Sequence, residues 1–181
     1  MNYSFYPKRT VRHIALVAIS AVALIAAILS PLQTSAAPTP FRTATGTANA
    51  VVDDTFTLAG MIGDITVYTE VINFYYAGDL VGLATDHNTL FVHPDGHFQT
   101  HAREMSGSAT LGGRTGGFTA QYVIVGEDFF SPTSPGPNYH YNGYLVFTGG
   151  TGGLAGLRGG GTFAYDGVNG STYSYQYRFT R

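Results

Sequence analysis

From about residue 43 onward, apolar and polar side chains alternate with a period of two, in stretches separated by Gly, Asn, Asp and Pro. Such alternation indicates β-strands that bury one face and expose the other. The last stretch is the clearest, because Ser, Gln and Arg share one face and the other face carries Tyr173, Tyr175, Tyr177 and Phe179. We therefore predict an all-β domain over residues 44–181, preceded by a linker over 37–43.

Helices that could cover this sheet are not predicted. No stretch beyond residue 40 places apolar residues at helical spacing, and a chain with 24 Gly among 181 residues and only 11% charged residues is unlike a helical bundle. A sheet without covering helices removes its exposed edges most simply by closing on itself. A closed antiparallel barrel is therefore expected.

One turn can be assigned from its residues. Pro94-Asp95-Gly96 supplies the fixed φ and then the positive φ of a type I turn with a Gly bulge. The strands on either side should form a hairpin in which His93 and His97 face each other.

The first 36 residues have the three parts of an export signal. A basic start containing Lys8, Arg9 and Arg12 precedes an uncharged run over residues 14–29, and small residues end the segment at Ala36. We expect a hydrophobic helix here and cleavage after Ala36. The alternative is a single-span anchor formed by residues 14–29, which would be the protein's only contact with a membrane. Either way, the domain is expected to be secreted or extracytoplasmic.

Charge and cysteine content exclude several classes of protein. Nine Lys and Arg against eleven Asp and Glu give a net charge of −2, so no basic field is available to attract nucleic acid. Cleavage after Ala36 would leave six Arg against the eleven acids, or −5. Because the chain has no cysteine, it has no disulfide, no thiolate nucleophile and no Cys-ligated metal site.

Two motifs suggest cofactors or metals, and each has a simpler reading. Residues 150–155 match the Gly pattern of a dinucleotide-binding turn, but the Gly-rich residues that follow would not form the helix that the pyrophosphate needs, so we expect a turn and no cofactor. Four histidines lie close together in the sequence, and we interpret them as a polar hairpin face and expect no metal. A His93/His97 pair with an outside carboxylate remains the alternative; the four are His87, His93, His97 and His101.

Glu70 is the candidate catalytic residue. It lies on one strand face among large apolar side chains, so if this face lines the barrel interior, desolvation should raise the pKa of the Glu70 carboxyl and make it a general acid or base. If the face points outward, Glu70 is simply solvated. Of the nearby basic residues His101 and Arg103, His101 is the one expected to join Glu70 inside, because a histidine can be neutral.

Aromatic side chains are the candidate ligand-binding groups. Their rings could line a cavity for an extended apolar molecule, with a few hydroxyl groups to orient it; the alternative is packing in the core or at the barrel rim. The candidates are Tyr68, Phe74, Tyr76, Tyr122, Tyr175 and Tyr177. A Pro-rich loop over residues 131–138 is unable to pair in a sheet and could form a lid over one mouth of the barrel or an inert connector.

A wider Gly pattern resembles a known family. Tyr144–Gly152, followed by Gly159–Phe163 and an aromatic final strand, resembles the C-terminal half of plant allene oxide cyclases and dirigent proteins. The pattern that begins at Ala77–Gly82 and continues through Gly112–Phe118 is closer to uncharacterised bacterial relatives, and the resemblance covers roughly residues 44–181. It implies an antiparallel barrel of about eight strands with an apolar central cavity, and an activity such as cyclisation that needs no cofactor. No catalytic residue is carried over.

These observations lead to a functional hypothesis. The barrel is expected to bind a hydrophobic small molecule and to promote its cyclisation or isomerisation by holding it in a reactive conformation. The alternatives are a carrier that binds such a molecule without reaction, and a cell-surface structural module with a packed interior. The sequence leaves open whether the domain forms homo-oligomers.

Overall fold

A computed structural model describes residues 39–132, 135–167 and 170–180 of the chain. The predicted N-terminal helix and cleavage site lie outside these residues. The described part contains eight strands and a single 3₁₀ turn, η1 (Gly152–Leu154). The strands are β1 (Arg42–Ile62), β2 (Ile65–Gly78), β3 (Leu80–Val92), β4 (Phe98–Leu111), β5 (Arg114–Phe129), β6 (Pro135–Gly150), β7 (Leu157–Tyr165) and β8 (Ser171–Phe179).

The eight strands form a closed antiparallel barrel in chain order, as the sequence predicted. Each strand pairs with the next, and β8 closes the barrel by pairing with the first third of β1, where Arg42 lies opposite Tyr177 and Ala48 opposite Ser171. Closure joins the two edge strands along Arg42–Ala48, so the sheet has no free edge over that length. Among the described residues, no helix is long and apolar enough to cross a bilayer.

The alternation of side chains sorts the barrel into an inside and an outside. In β8, Tyr173, Tyr175 and Tyr177 are buried, and the residues between them point outward. In β5, Phe118 and Tyr122 are buried in the same way. The period of two predicted that Tyr173, Tyr175 and Tyr177 share one buried face, and this prediction is confirmed.

The predicted turn at Pro94-Asp95-Gly96 is also confirmed. It joins β3 to β4: the backbone N–H of His93 donates to the carbonyl of His97 over 2.8 Å, and the N–H of Gly96 donates to the carbonyl of His93 over 3.0 Å. Gly96 has a φ of 89°, a left-handed conformation that glycine adopts without strain. The turn therefore sets the register of the β3–β4 hairpin.

One end of the barrel is filled by its own side chains. The turn η1 lies at this end, and its Leu154 is fully buried among aromatic and aliphatic residues that include Phe118, Phe147 and Tyr177. At the same end, the buried hydroxyl of Tyr173 accepts from the N–H of Leu80 over 2.9 Å and so holds the turn between β2 and β3. The motif over residues 150–155 thus forms a tight turn, as expected, and not the start of a longer helix.

The other end of the barrel is wider and more loosely filled. A second apolar cluster lies there, formed by Leu90, Val92, Phe98, Phe129 and Tyr141. The prediction that residues 131–138 stay out of the sheet is wrong for part of the segment. Strand β6 begins at Pro135, which lies opposite Phe129 after a break in the register. A proline is tolerated at the start of a strand, where its missing N–H breaks no continuous ladder.

Candidate functional site

A cavity of about 420 Å³ occupies the wide end of the barrel. Its volume lies within the range of small-molecule sites in proteins. Aromatic residues are the largest group in its lining, and β2, β3 and β4 each contribute one carboxyl, amide or hydroxyl group. The aromatic lining residues are Phe56, Phe74, Phe98, Tyr122, Phe129, Tyr139, Tyr141 and Tyr165, and the carboxyl, amide and hydroxyl groups on those three strands belong to Glu70, Asn88 and Thr100.

Glu70 faces this cavity from β2. Its side chain is only 8% exposed, and its Oε2 accepts a hydrogen bond from Nδ2 of Asn88 over 2.5 Å. Asn88 is the directly opposite residue on β3, so the pair is a consequence of strand register. Cross-strand neighbours of this kind lie close enough for short side chains to meet. The inward orientation, one of the two alternatives left open by the sequence, is therefore the observed one.

A hydrogen-bonded chain continues from Glu70 into the interior. The hydroxyl of Tyr122 lies 2.8 Å from Oδ1 of Asn88 and 2.7 Å from Oδ2 of Asp86. A phenol carries one proton, so it donates fully to only one of these oxygens. Both contacts are complete hydrogen bonds when the Asp86 carboxyl is protonated and donates to the phenol oxygen. The chain Glu70–Asn88–Tyr122–Asp86 is thus suited to holding a proton.

A second carboxyl group lies beside Asp86. Glu104 is directly opposite Asp86 on β4, and both are almost fully buried, with 1% and 2% exposure respectively. The hydroxyl of Tyr76 donates to Oε2 of Glu104 over 3.0 Å. The remaining oxygens, Oδ1 of Asp86 and Oε1 of Glu104, have no hydrogen-bond partner among the described residues. Both acids line a space of about 20 Å³, enough for one water-sized group.

Burial controls the protonation of these acids. Desolvation, opposed by the hydrogen bond from Tyr122 and assisted by the charge of Glu70, raises the pKa of Asp86 from 3.8 to about 7. Desolvation and the neighbouring charge of Asp86 also raise the pKa of Glu104 well above its ordinary range. Near neutral pH, the interior therefore holds at least one carboxyl group that exchanges its proton readily.

Four of the six predicted ligand-binding aromatics line the cavity or the small space, and two do not. Phe74 and Tyr122 line the cavity, and Tyr76 and Tyr175 line the small space beside Asp86 and Glu104. Tyr68 contacts the ring of Phe56 edge-on, with 6.5 Å between ring centroids. It packs against the second apolar cluster, at the end of the barrel that holds the cavity. Tyr177 is buried in the filled end of the barrel, where the packing interpretation fits it better than ligand contact.

His101 does not join Glu70, and this expectation is corrected. From Phe98 to Ser106 the inward positions of β4 are even-numbered, as Thr100 and Glu104 show, so the side chains of His101 and Arg103 lie on the outer surface. His101 instead contacts the ring of Phe91 edge-on, with 6.1 Å between centroids. The sequence shows which residues share a face, but not which face lies inside.

Sequence reasoning missed the acids that give the site its chemistry. The alternation and motifs of the sequence did not single out Asp86, Asn88 or Glu104 as site residues. A signal for them was present: the turn at Pro94-Asp95-Gly96 fixes the β3–β4 register, and counting back from it places Asp86 opposite Glu104. The pair could have been derived from that turn alone.

The histidines of the β3–β4 hairpin lie at the surface. His97 is exposed, with Nδ1 3.2 Å from Oδ2 of Asp95 and Nε2 3.5 Å from Oε1 of Glu127. In the described part of the chain, no group of three or more His, Cys, Asp and Glu residues has the arrangement of a metal site. The hairpin carries an exposed charge cluster, separate from the cavity.

Comparisons with known proteins bear on the fold alone. No protein-family model and no curated protein matches the chain. Among solved structures, the chain is similar to a protein of unknown function of the DUF3224 family from Shewanella oneidensis MR-1, with a TM-score of 0.58 and 17% sequence identity. The match covers 78% of this chain and 98% of that one. At this identity, the similarity shows that the two share a barrel fold.

Proposed function

We propose that the barrel binds a largely apolar small molecule in its cavity and catalyses a cyclisation or isomerisation by proton transfer through Glu70. The single observation that carries the proposal is a buried carboxyl group, hydrogen-bonded to Asn88, at the wall of an aromatic cavity of about 420 Å³. Such a cavity holds an apolar chain in one conformation, and a carboxyl group placed there removes or supplies a proton as bonds rearrange.

Proton transfer by Glu70 alone is compatible with a reaction whose product has the same mass as its substrate. Glu70 takes a proton from one position of the bound molecule and returns it at another, so no cofactor is consumed. Between the two steps the proton stays on the carboxyl group of Glu70, which its hydrogen bond with Asn88 holds in place at the cavity wall. The resemblance of the Gly pattern to allene oxide cyclases and dirigent proteins supports cyclisation in particular, and the predicted export signal supports an extracytoplasmic site of action.

The test is a conversion assay on extracts of the host organism. Purified protein is incubated with the extract, and the products are followed by untargeted liquid chromatography and mass spectrometry. We expect at least one compound to be replaced by another of identical mass and different retention time. E70Q, which keeps the size of the side chain but removes its proton transfer, should slow this conversion by about 100-fold or more.

E127Q is the matched control, because Glu127 is an exposed glutamate on the outer surface of β5. It should convert at the wild-type rate. Equal rates for E70Q and wild type would exclude Glu70 from catalysis. No mass-conserving conversion by the wild-type protein would overturn the enzymatic proposal.

A carrier function is the second candidate, because an aromatic cavity suffices for it without any use of the acids. Native mass spectrometry of protein purified from its host distinguishes the two. A co-purifying apolar compound, together with no conversion in the extract assay, would favour the carrier. The third alternative, a module with a packed interior, is disfavoured by the size of the cavity.

A further inference from the structure

The charges that line the interior all have the same sign. Glu70, Asp86 and Glu104 are buried, and among the described residues that line the cavity or the small space beside it, none is Lys, Arg or His. A buried carboxylate is costly unless a proton or a cation compensates it. The described lining supplies no such cation to Asp86 or Glu104, so a proton or a bound group is needed to compensate a charge on either of these two acids.

The small space adjoins the cavity. Asp86 and Glu104 line it, each with one oxygen that lacks a hydrogen-bond partner among the described residues. It takes one water-sized group. The two spaces share six lining residues, which are Ala48, Phe74, Tyr122, Ile124, Tyr141 and Ser171. A molecule bound in the cavity can therefore direct one end toward Asp86 and Glu104.

We propose that this small space, called the deep pocket from here on, binds the ammonium group of a primary amine whose apolar body fills the cavity. This inference rests on the proposed small-molecule function and names the ligand class. An ammonium group is about the size of the pocket and donates three hydrogen bonds, for which Asp86 Oδ1 and Glu104 Oε1 are available acceptors. Tyr76, Tyr122 and Tyr175 add aromatic surface around it, which favours an organic cation.

An inorganic cation fits the pocket less well. Calcium takes six to eight oxygen ligands and magnesium six, and magnesium gives up its water reluctantly. The pocket offers two carboxyl groups among neutral phenols and apolar side chains, and its volume leaves no room for a shell of water. A single ammonium group attached to an apolar body satisfies both the pocket and the cavity beside it.

Amine binding should depend on pH, because protons and the ammonium group compete for the same oxygens. A primary ammonium keeps its proton to about pH 10, so the acids alone titrate near neutrality. Burial raises the pKa of the surrounding phenols, which therefore stay neutral. Affinity should rise from pH 6 to pH 8 as Asp86 loses its proton. The titratable groups that face the two spaces are Glu70, Tyr76, Asp86, Glu104, Tyr122, Tyr139, Tyr141, Tyr165 and Tyr175.

The experiment compares two ligands of equal shape by isothermal titration calorimetry at pH 6 and pH 8. The first is 2-phenylethylamine and the second is its neutral analogue 2-phenylethanol. At pH 8 we expect the amine to bind at least about tenfold more tightly than the alcohol, and the preference to shrink at pH 6. D86N and E104Q should each reduce the preference, and E127Q on the outer surface should leave it unchanged.

The outcomes separate this inference from the proposed function. Binding of the alcohol with no preference for the amine would overturn the amine site and leave the small-molecule cavity intact. Failure of both compounds to bind would overturn the amine site, while the conversion assay on host extracts would still decide the proposed function. An increase in melting temperature with potassium chloride as large as that with the amine would assign the pocket to an inorganic cation. The comparison on the wild-type protein stands even if D86N or E104Q fails to fold.

Discussion

The surroundings of Asp86 disfavour a negative charge on its carboxyl group much more strongly than the surroundings of a surface acid do. It is 2% exposed, one of its oxygens has no partner among the described residues, and Glu104 lies directly opposite. A carboxyl group in this position is stable as the neutral acid and costly as the anion. The same arrangement that weakens the fold at neutral pH prepares Asp86 to give up a proton or to accept a cation.

Stability should therefore fall as pH rises. The native pKa of Asp86 is about 7, against 3.8 in the unfolded chain, so between these values the native state binds more protons than the unfolded state. The free energy of unfolding then decreases with pH, with no penalty below about pH 4 and the full penalty above about pH 7. At 1.36 kcal/mol per pKa unit, the contribution of Asp86 is on the order of 4 kcal/mol. Urea titrations between pH 4 and pH 8 measure it.

D86N should flatten this dependence, because an amide does not ionise and incurs no charge penalty at pH 8. D64N is the control, since Asp64 lies in the exposed turn between β1 and β2. It should keep the wild-type slope. A wild-type free energy of unfolding that stays level or rises between pH 5 and pH 8 would contradict the assignment of a raised pKa to Asp86.

In three pairs of neighbouring strands, an aromatic residue lies opposite a glycine, so that its ring covers the glycine. Phe98 lies opposite Gly126, Phe163 opposite Gly143 and Tyr173 opposite Gly46. A Cβ added at Gly143 would lie 2.2 Å from Cζ of Phe163, and one at Gly126 would lie 2.3 Å from the same atom of Phe98. The missing side chain thus gives each ring its position, a known use of glycine in sheets. Phe98 lines the cavity and Phe163 the deep pocket.

G143A should push the ring of Phe163 toward the deep pocket. We expect a loss of about 1–3 kcal/mol in the free energy of unfolding, as for other overpacked cores, and weaker binding of 2-phenylethylamine. G149A is a matched control on the same strand, because the nearest atom to its added Cβ is Oγ1 of Thr119 at 3.1 Å. Urea denaturation and calorimetry compare the two. Equal losses in both variants would show that the Gly143–Phe163 pair has no special role.

The barrel as a whole has two unlike ends. The end that contains η1 is packed with aromatic and aliphatic side chains, and the opposite end holds the cavity. Strand β1 belongs to both: Arg42–Ala48 pairs with β8, whereas Thr55–Ile62 pairs with β2 and lies beyond the paired range of β8. Leu58, Met61 and Ile62 are exposed on this extension. The hairpin of β1 and β2 thus projects past the closed part of the barrel.

Hydrogen exchange should reveal this difference within one strand. Amides of Gly46–Ala48 in β1 lie between two paired strands, whereas only β2 pairs with Thr55–Ile62 among the described strands, so we expect the latter to exchange faster. Exchange followed by mass spectrometry at low protein concentration measures both segments. Equal protection would contradict the prediction. If Thr55–Ile62 is protected at high protein concentration and loses this protection on dilution, a second copy of the chain covers the exposed edge.

The sequence alone determined the features that depend on neighbouring residues. The period of two sorted Tyr173, Tyr175 and Tyr177 onto one face, since side chains alternate along any strand. Pro94-Asp95-Gly96 determined its turn, because the conformations of proline and glycine are local properties. The barrel itself was predictable because a sheet rich in alternating residues and without helices has few other ways to cover its edges.

Only the tertiary structure decided which face lies inside and which strands distant in the chain pair with each other. His101 and Glu70 were equally compatible with an inward position until closure of the sheet placed one outside and the other in the cavity. The pairing of β1 with β8 joins residues far apart in the chain, and no local pattern encodes it. The acids Glu70, Asp86 and Glu104 come together from three strands, so their shared desolvation, and the chemistry it permits, exist only in the folded barrel.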